Sequence, residues 1–152
     1  MPIFLGILLT LSVCVVAYGA GQLGDSVKTA LETQKLVSIA TQRADGGWGR
    51  AAPVWFMYDG EAVYFITAPD SYKARRIRRG SPAQVWLSDA TEPAFVGPAH
   101  VVTDVPTLER MNAVYKRKYW AAWLTYWARP LAGRVEAGSL VAVKVTPQPD
   151  GR

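Results

Sequence analysis

The chain has 152 residues, half of them hydrophobic and about a fifth charged, which suits one well-cored domain and excludes two domains or a disordered chain. A single cysteine, Cys14, excludes an intramolecular disulfide and a Cys-based metal centre, and a single histidine, His100, excludes a site built from several imidazoles. Seventeen basic residues face 12 acidic ones, and five of the basic ones (Lys73, Arg75, Arg76, Arg78, Arg79) fall within seven positions, so the whole positive excess is local.

Pro2 to Gly21 carries no charge and matches the ~20 residues that cross a bilayer as a helix. Residues 1–21 are expected to be an apolar helical membrane anchor. A cleaved export signal is the alternative, with Ala17 and Gly19 as small cleavage-site residues but no basic segment before the run. Lys28 and Lys35 follow the run and none precedes it, which favours a globular part on the cytoplasmic side.

Residues 22–34 read as a linker helix, with Asp25 to Gln34 helical and Asp25 or Ser26 as its cap. Lys35 to Arg43 alternates as a strand does, and Asp45-Gly46-Gly47 turns the chain. Arg50 to Tyr58 is rich in β-formers, and Asp59-Gly60 joins it as a hairpin to a strand over Ala62 to Thr67. Pro53 cannot donate a ladder hydrogen bond, so its strand lies at an edge or is bulged there.

Ser71 to Gly80 reads as a short helix capped by Asp70 or Ser71 and stopped by Gly80. Pro82 to Ser88 and Ala94 to Thr103 are two further strands. Pro106 to Trp127 places Leu108, Met111, Tyr115, Tyr119 and Trp123 at helical spacing, predicting one long amphipathic helix. Leu140 to Val145 is the last strand, and 148–152 is a tail. Six strands, mostly hairpin-linked, with peripheral helices make an α+β domain over 35–147, and closing the antiparallel sheet into a barrel removes its edges.

Three readings of the basic cluster stand side by side. It is a solvated helix face near anionic headgroups, a nucleic-acid surface, or a phosphate clamp in which Ser71, the amides at a helix start and Lys73 meet an anion. Nucleic-acid binding needs basic residues spread over a surface with stacking groups between them, whereas these occupy two helical turns. Trp120, Trp123 and Trp127 read as core, dimer contact or membrane-interface belt rather than a cofactor cage. Asp89, Glu92 and Asp104 are dispersed, so no carboxylate pair or Ser/His/Asp set argues for hydrolysis.

The order and spacing of Arg50-x-x-Pro53-Val54-Trp55-Phe56, Asp59-Gly60, Tyr64-Phe65-x-Thr67 and Ser71-x-Lys73-x-x-Arg76-Ile77 resemble the pyridoxamine 5′-phosphate oxidase-like superfamily. The likeness is closest to its small flavin- or deazaflavin-dependent split β-barrels. The resemblance runs from about Lys35 to Val145 and takes in Tyr115, Lys116, Arg117 and Tyr119. It implies a six-stranded antiparallel split β-barrel and a homodimer with the cofactor in a groove between subunits. Thr67, Ser71 and Lys73 would hold the cofactor phosphate with help from Arg76, and Pro53, Val54 and Trp55 would lie beside the ring.

On that resemblance the expected function is an oxidoreductase acting on a small-molecule substrate, with FMN or the deazaflavin coenzyme F-420 carrying the hydride. No side chain is assigned a catalytic role and no metal is expected. A non-enzymatic, membrane-tethered flavin-binding or storage module is the alternative. Nothing after Val145 matches the substrate motifs of the vitamin-forming oxidases, so pyridoxamine phosphate is not the expected substrate. A haem-degrading relative exists in the superfamily, but His100, on a predicted strand, reads as a surface or hydrogen-bond-satisfied residue rather than an axial ligand.

Overall fold

The computed structural model describes residues 21–121, 124 and 129–149. Most of the predicted anchor, Cys14, Trp123, Trp127 and the end of the tail lie outside the described residues. Chain order is α1 (Asp25–Thr33), β1 (Val37–Thr41), β2 (Ala52–Val54), β3 (Phe56–Tyr58), β4 (Val63–Thr67), α2 (Tyr72–Arg78), β5 (Ala83–Trp86), β6 (Phe95–Gly97), β7 (Ala99–Val102), α3 (Val105–Lys118), α4 (Leu131–Glu136) and β8 (Val141–Val145).

The strands form two four-stranded antiparallel sheets, ordered β2-β1-β5-β6 and β3-β4-β8-β7. This corrects the expectation of six strands. Two predicted strands each break in the middle and pass from one sheet to the other, a device that turns corners between packed sheets. The first breaks at Trp55, between β2 and β3. The second breaks at Pro98, which has no N–H for a ladder. A Cβ on the preceding Gly97 would collide with the Thr146 carbonyl, so the close approach of backbone at this corner requires glycine.

Alternation along the second sheet gives it two apolar faces. Phe56 and Phe65, directly paired across β3 and β4, point with Val63, Val143 and Val145 toward Ile39 and Val85 of the first sheet. Met57, Tyr64 and Ala142 point the other way, onto Leu108, Met111 and Tyr115 of α3 and Leu131 of α4. Leu31 of α1 and Ala74 and Ile77 of α2 join the inter-sheet core. Burying each large side chain of this kind contributes roughly 1.5–3 kcal/mol.

The predicted hairpin at Asp59-Gly60 forms. Gly60 has φ +94°, and Asp59 Oδ1 accepts from the amides of Glu61 and Ala62 at 3.0 and 2.8 Å. The Tyr64 hydroxyl donates to Asp59 Oδ2 at 2.8 Å. Burial works against this carboxylate, but those hydrogen bonds outweigh it and hold its pKa below the usual value.

Three helix expectations need correction. The N-cap of α1 is Gly24, with no side-chain cap bond, and Asp25 instead sits in the first turn, where its charge complements the helix dipole. Helix α3 starts one residue early, capped by Asp104 accepting from the Thr107 amide, and stops at Lys118 rather than continuing to Trp127. Tyr119 leaves helical backbone (φ −126°, ψ 37°) because its side chain is committed to buried bonds with Phe56 and Lys35. The short α4 was not anticipated, since Leu131–Glu136 spans under two turns and contains Gly133. Among the described residues no helix is long and apolar enough to cross a membrane.

Candidate functional site

Ser71 is the N-cap of α2, its Oγ accepting from the Ala74 amide at 3.0 Å and lying 2.9 Å from Thr67 Oγ1. The end of β4 is thereby tied to the start of the helix. At the other end Gly80, at φ +90°, lets its amide reach Ile77 O and the Ser81 amide reach Arg76 O, the bond pair that closes a helix. This two-turn frame fixes where Lys73 and Arg76 stand. With seven residues and one start amide already satisfied by Ser71, α2 offers little as an anion-binding helix end, and the cationic side chains carry the charge.

Lys73 and Arg76 line a cavity of about 340 Å³ together with Thr41, Arg50, Ser71 and Tyr72. Lys73 is half-buried, and its ammonium is pulled below the usual lysine range by that burial and then by the charge of Arg76. No Asp or Glu lines the cavity. Arg76 Nη1 reaches Thr41 Oγ1 at 3.4 Å, and Gly49 is packed so closely that a Cβ there would strike the guanidinium. The exposed Tyr72 ring has Arg75 at 4.6 Å and Arg76 at 5.3 Å from its centroid. Arg78 donates to the Pro69 carbonyl at 2.8 Å on the exposed side.

The predicted ring-side residues stand apart from this cavity. Pro53 is exposed on β2, an edge strand, paired with Ser38, and Val54 packs on the inter-sheet core. Trp55 sits at the switch between sheets and stacks on Tyr119, with centroids 4.8 Å apart and planes at 11°. The Tyr115 hydroxyl donates to the Trp55 carbonyl at 2.9 Å. Tyr119 Oη accepts from the Phe56 amide at 3.0 Å and donates to the Lys35 carbonyl at 2.6 Å. Lys118 Nζ lies 3.4 Å from the Phe56 ring centroid, and burial lowers its pKa to about 8.

Sequence reasoning thus placed Ser71, Lys73 and Arg76 in one cavity, with Thr67 bonded behind them. It missed Thr41 and Arg50 as lining residues. Arg50 was legible as part of the Arg50-x-x-Pro53 pattern, while Thr41 carries no sequence signal beyond being a polar residue on a buried strand. His100 is exposed on β7. A larger cavity of about 820 Å³ lies between residues 21–24, 92–96 and 147–149, but Glu92 is its one charged lining residue, which does not suit an anion.

A family model described as pyridoxamine 5′-phosphate oxidase matches residues 23–148. The chain belongs to the pyridoxamine 5′-phosphate oxidase family. No curated protein matches it. Solved structures agree on the fold. The FAD and heme binding protein of Mycobacterium smegmatis aligns with TM-score 0.59 at 19% identity, over 87% of this chain and 70% of that one. A candidate pyridoxamine 5′-phosphate oxidase of Listeria innocua gives 0.57 at 20%, over 81% and 91%. General Stress Protein 26 of Bacillus anthracis gives 0.54 at 21%, over 80% and 85%. The two sheets with their crossing strands are this family's split barrel, and flavin binding is a property found within the family.

Proposed function

We propose that the chain is an oxidoreductase that binds a flavin or deazaflavin, with the cofactor's phosphate in the cavity of Lys73 and Arg76 and its ring along Pro53, Val54 and Trp55. The observation that carries this reading is Lys73, a half-buried ammonium beside Arg76 with no carboxylate partner among the described residues. Cations held together away from water without an acid are unfavourable, and a phosphate dianion relieves them. Arg50 lines the cavity two residues before β2 begins and Pro53 lies on that strand, so a short stretch of chain joins the proposed phosphate site to the proposed ring side.

Bound here, the cofactor would supply the hydride chemistry, and the protein would bind and orient it. Lys73 and Arg76 would give charge-assisted bonds, Arg50 further charge, and Ser71 and Thr67 hydroxyls. Trp55, held flat by Tyr119, would set the wall beside the ring. The reading includes a homodimer whose second chain completes the groove, and a membrane tether through residues 2–21 with the domain on the cytoplasmic side. Sedimentation and carbonate-resistant pelleting test those two parts. Mass spectrometry of the co-purifying cofactor distinguishes FMN from coenzyme F-420.

The decisive test is titration with FMN and with the deazaflavin at fixed ionic strength. Lys73→Ala is expected to weaken binding by roughly ten- to hundredfold, the loss of one hydrogen bond to a charged group. Arg79→Ala, at the far end of α2, is expected to change FMN affinity little. Equal small losses for both, shrinking together as salt rises, would show a diffuse surface patch and refute the clamp.

A further inference from the structure

Side chains alternate across the first sheet. Ile39 and Val85 enter the inter-sheet core, so Ser38, Ala40, Pro53, Gln84, Trp86 and Val96 point the opposite way. None of these outward residues is charged. Ala40 is buried, and the others keep part of their surface exposed. No described helix sets its buried apolar residues on this side: Leu31, Ala74 and Ile77 serve the inter-sheet core, and Leu108, Met111 and Leu131 pack beyond the second sheet. Trp86 Nε1 donates to Gln84 Oε1 at 3.2 Å. The Ser38 hydroxyl and the Gln84 amide nitrogen have no hydrogen-bond partner among the described residues.

An uncharged face with an indole and open hydrogen-bonding groups suits a cover that is neutral and polar in the same places. A second copy of the chain meets that need, because a two-fold contact sets the patch against itself and a serine hydroxyl both donates and accepts. The chain carries a net charge of +5, so contact between copies is least opposed where no cation lies. Residues 2–21 offer mainly aliphatic side chains and match the polar groups less well. Pro53 and Trp86 flank Ser38 in one row, each registered with it across β1. We infer that two copies meet on this face about an axis running along β1 over Ser38, which sets Trp86 of each copy over Pro53 of the other. The inference rests on the proposed function and deepens it: a cofactor ring beside Pro53 is covered by Trp86 of the partner subunit and shielded from water.

The test uses the full chain, which is expected to sediment as a dimer. Ser38→Lys sets two ammonium groups face to face and should raise the dissociation constant roughly hundredfold or more, with the circular dichroism spectrum unchanged. In a Cys14→Ser background, Ser38→Cys should be joined to its copy by a short bismaleimide. Trp86→Ala should weaken both the dimer and FMN binding, each roughly tenfold or more. A dimer that survives Ser38→Lys unchanged, or a full chain that sediments as a monomer, would overturn the inference. Slow maleimide labelling of Ser38→Cys in such a monomer would give the face to residues 2–21. Loss of the dimer in Trp86→Ala with FMN affinity unchanged would overturn the cover over the ring. If neither FMN nor the deazaflavin binds the unaltered chain, the cofactor reading fails, and sedimentation and crosslinking still decide the contact.

Discussion

Removing one oxygen, as Tyr119→Phe, tests how the corner between the two sheets is held. β3 is an edge strand, and the outward backbone groups at its start are met by side chains of α3 and the residue after it. Phe56 N–H donates to Tyr119 Oη at 3.0 Å in buried surroundings, and the same hydroxyl donates to Lys35 O at 2.6 Å. The substitution keeps the ring and its stack on Trp55 but leaves the Phe56 amide without that acceptor. An unsatisfied buried donor costs about 1–3 kcal/mol, whereas the Lys35 carbonyl, on an exposed residue, can take water instead. The expected loss is therefore about 2–3 kcal/mol, or about 6–12 °C in Tm for a domain this size. Tyr115→Phe removes a donor to the Trp55 carbonyl, which is expected to cost only about 1 kcal/mol because carbonyls tolerate one missing partner better than amides do. Urea unfolding followed by circular dichroism, with the midpoint falling at constant slope, measures both. A Tyr119→Phe loss under about 0.5 kcal/mol, or one smaller than that of Tyr115→Phe, would refute the reasoning that this hydroxyl pins the corner.

Gly49→Ala is expected to push the Arg76 guanidinium out of its place and weaken FMN binding several-fold with little change in Tm, because the displaced atom ends a flexible side chain. Gly97→Ala meets rigid backbone at Thr146 instead and is expected to cost about 3 kcal/mol or more, seen as lost soluble protein or a sharply lowered Tm. Lys118 has a pKa near 8 folded against 10.5 for the unperturbed group. The unfolded chain then holds one more proton between those values, so stability should rise with pH across about pH 8 to 10.5. The slope is at most ~1.4 kcal/mol per unit and is reduced by the partial exposure of the side chain; Lys118→Met should abolish this rise in urea midpoints.

Local chemistry made much of this protein legible without coordinates. Asp59-Gly60 requires a turn because glycine alone enters φ +94° without strain, and the Ser71 cap and Gly80 stop of α2 are satisfied within ten residues of chain. The grouping of Ser71, Lys73 and Arg76 followed, since neighbours on one short helix stay neighbours in any fold. What could not be read locally was every feature that depends on distant backbone. The breaks at Trp55 and Pro98 exist because two sheets share those strands, and Thr41 and Arg50 reach the cavity through the pairing of β1 with β2. Helix α3 ends where it does because Tyr119 finds Phe56, 63 positions earlier. Propensity sums over adjacent residues and cannot weigh a buried hydroxyl meeting an edge amide from the far end of the chain. That bond exists only once both sheets and α3 are in place.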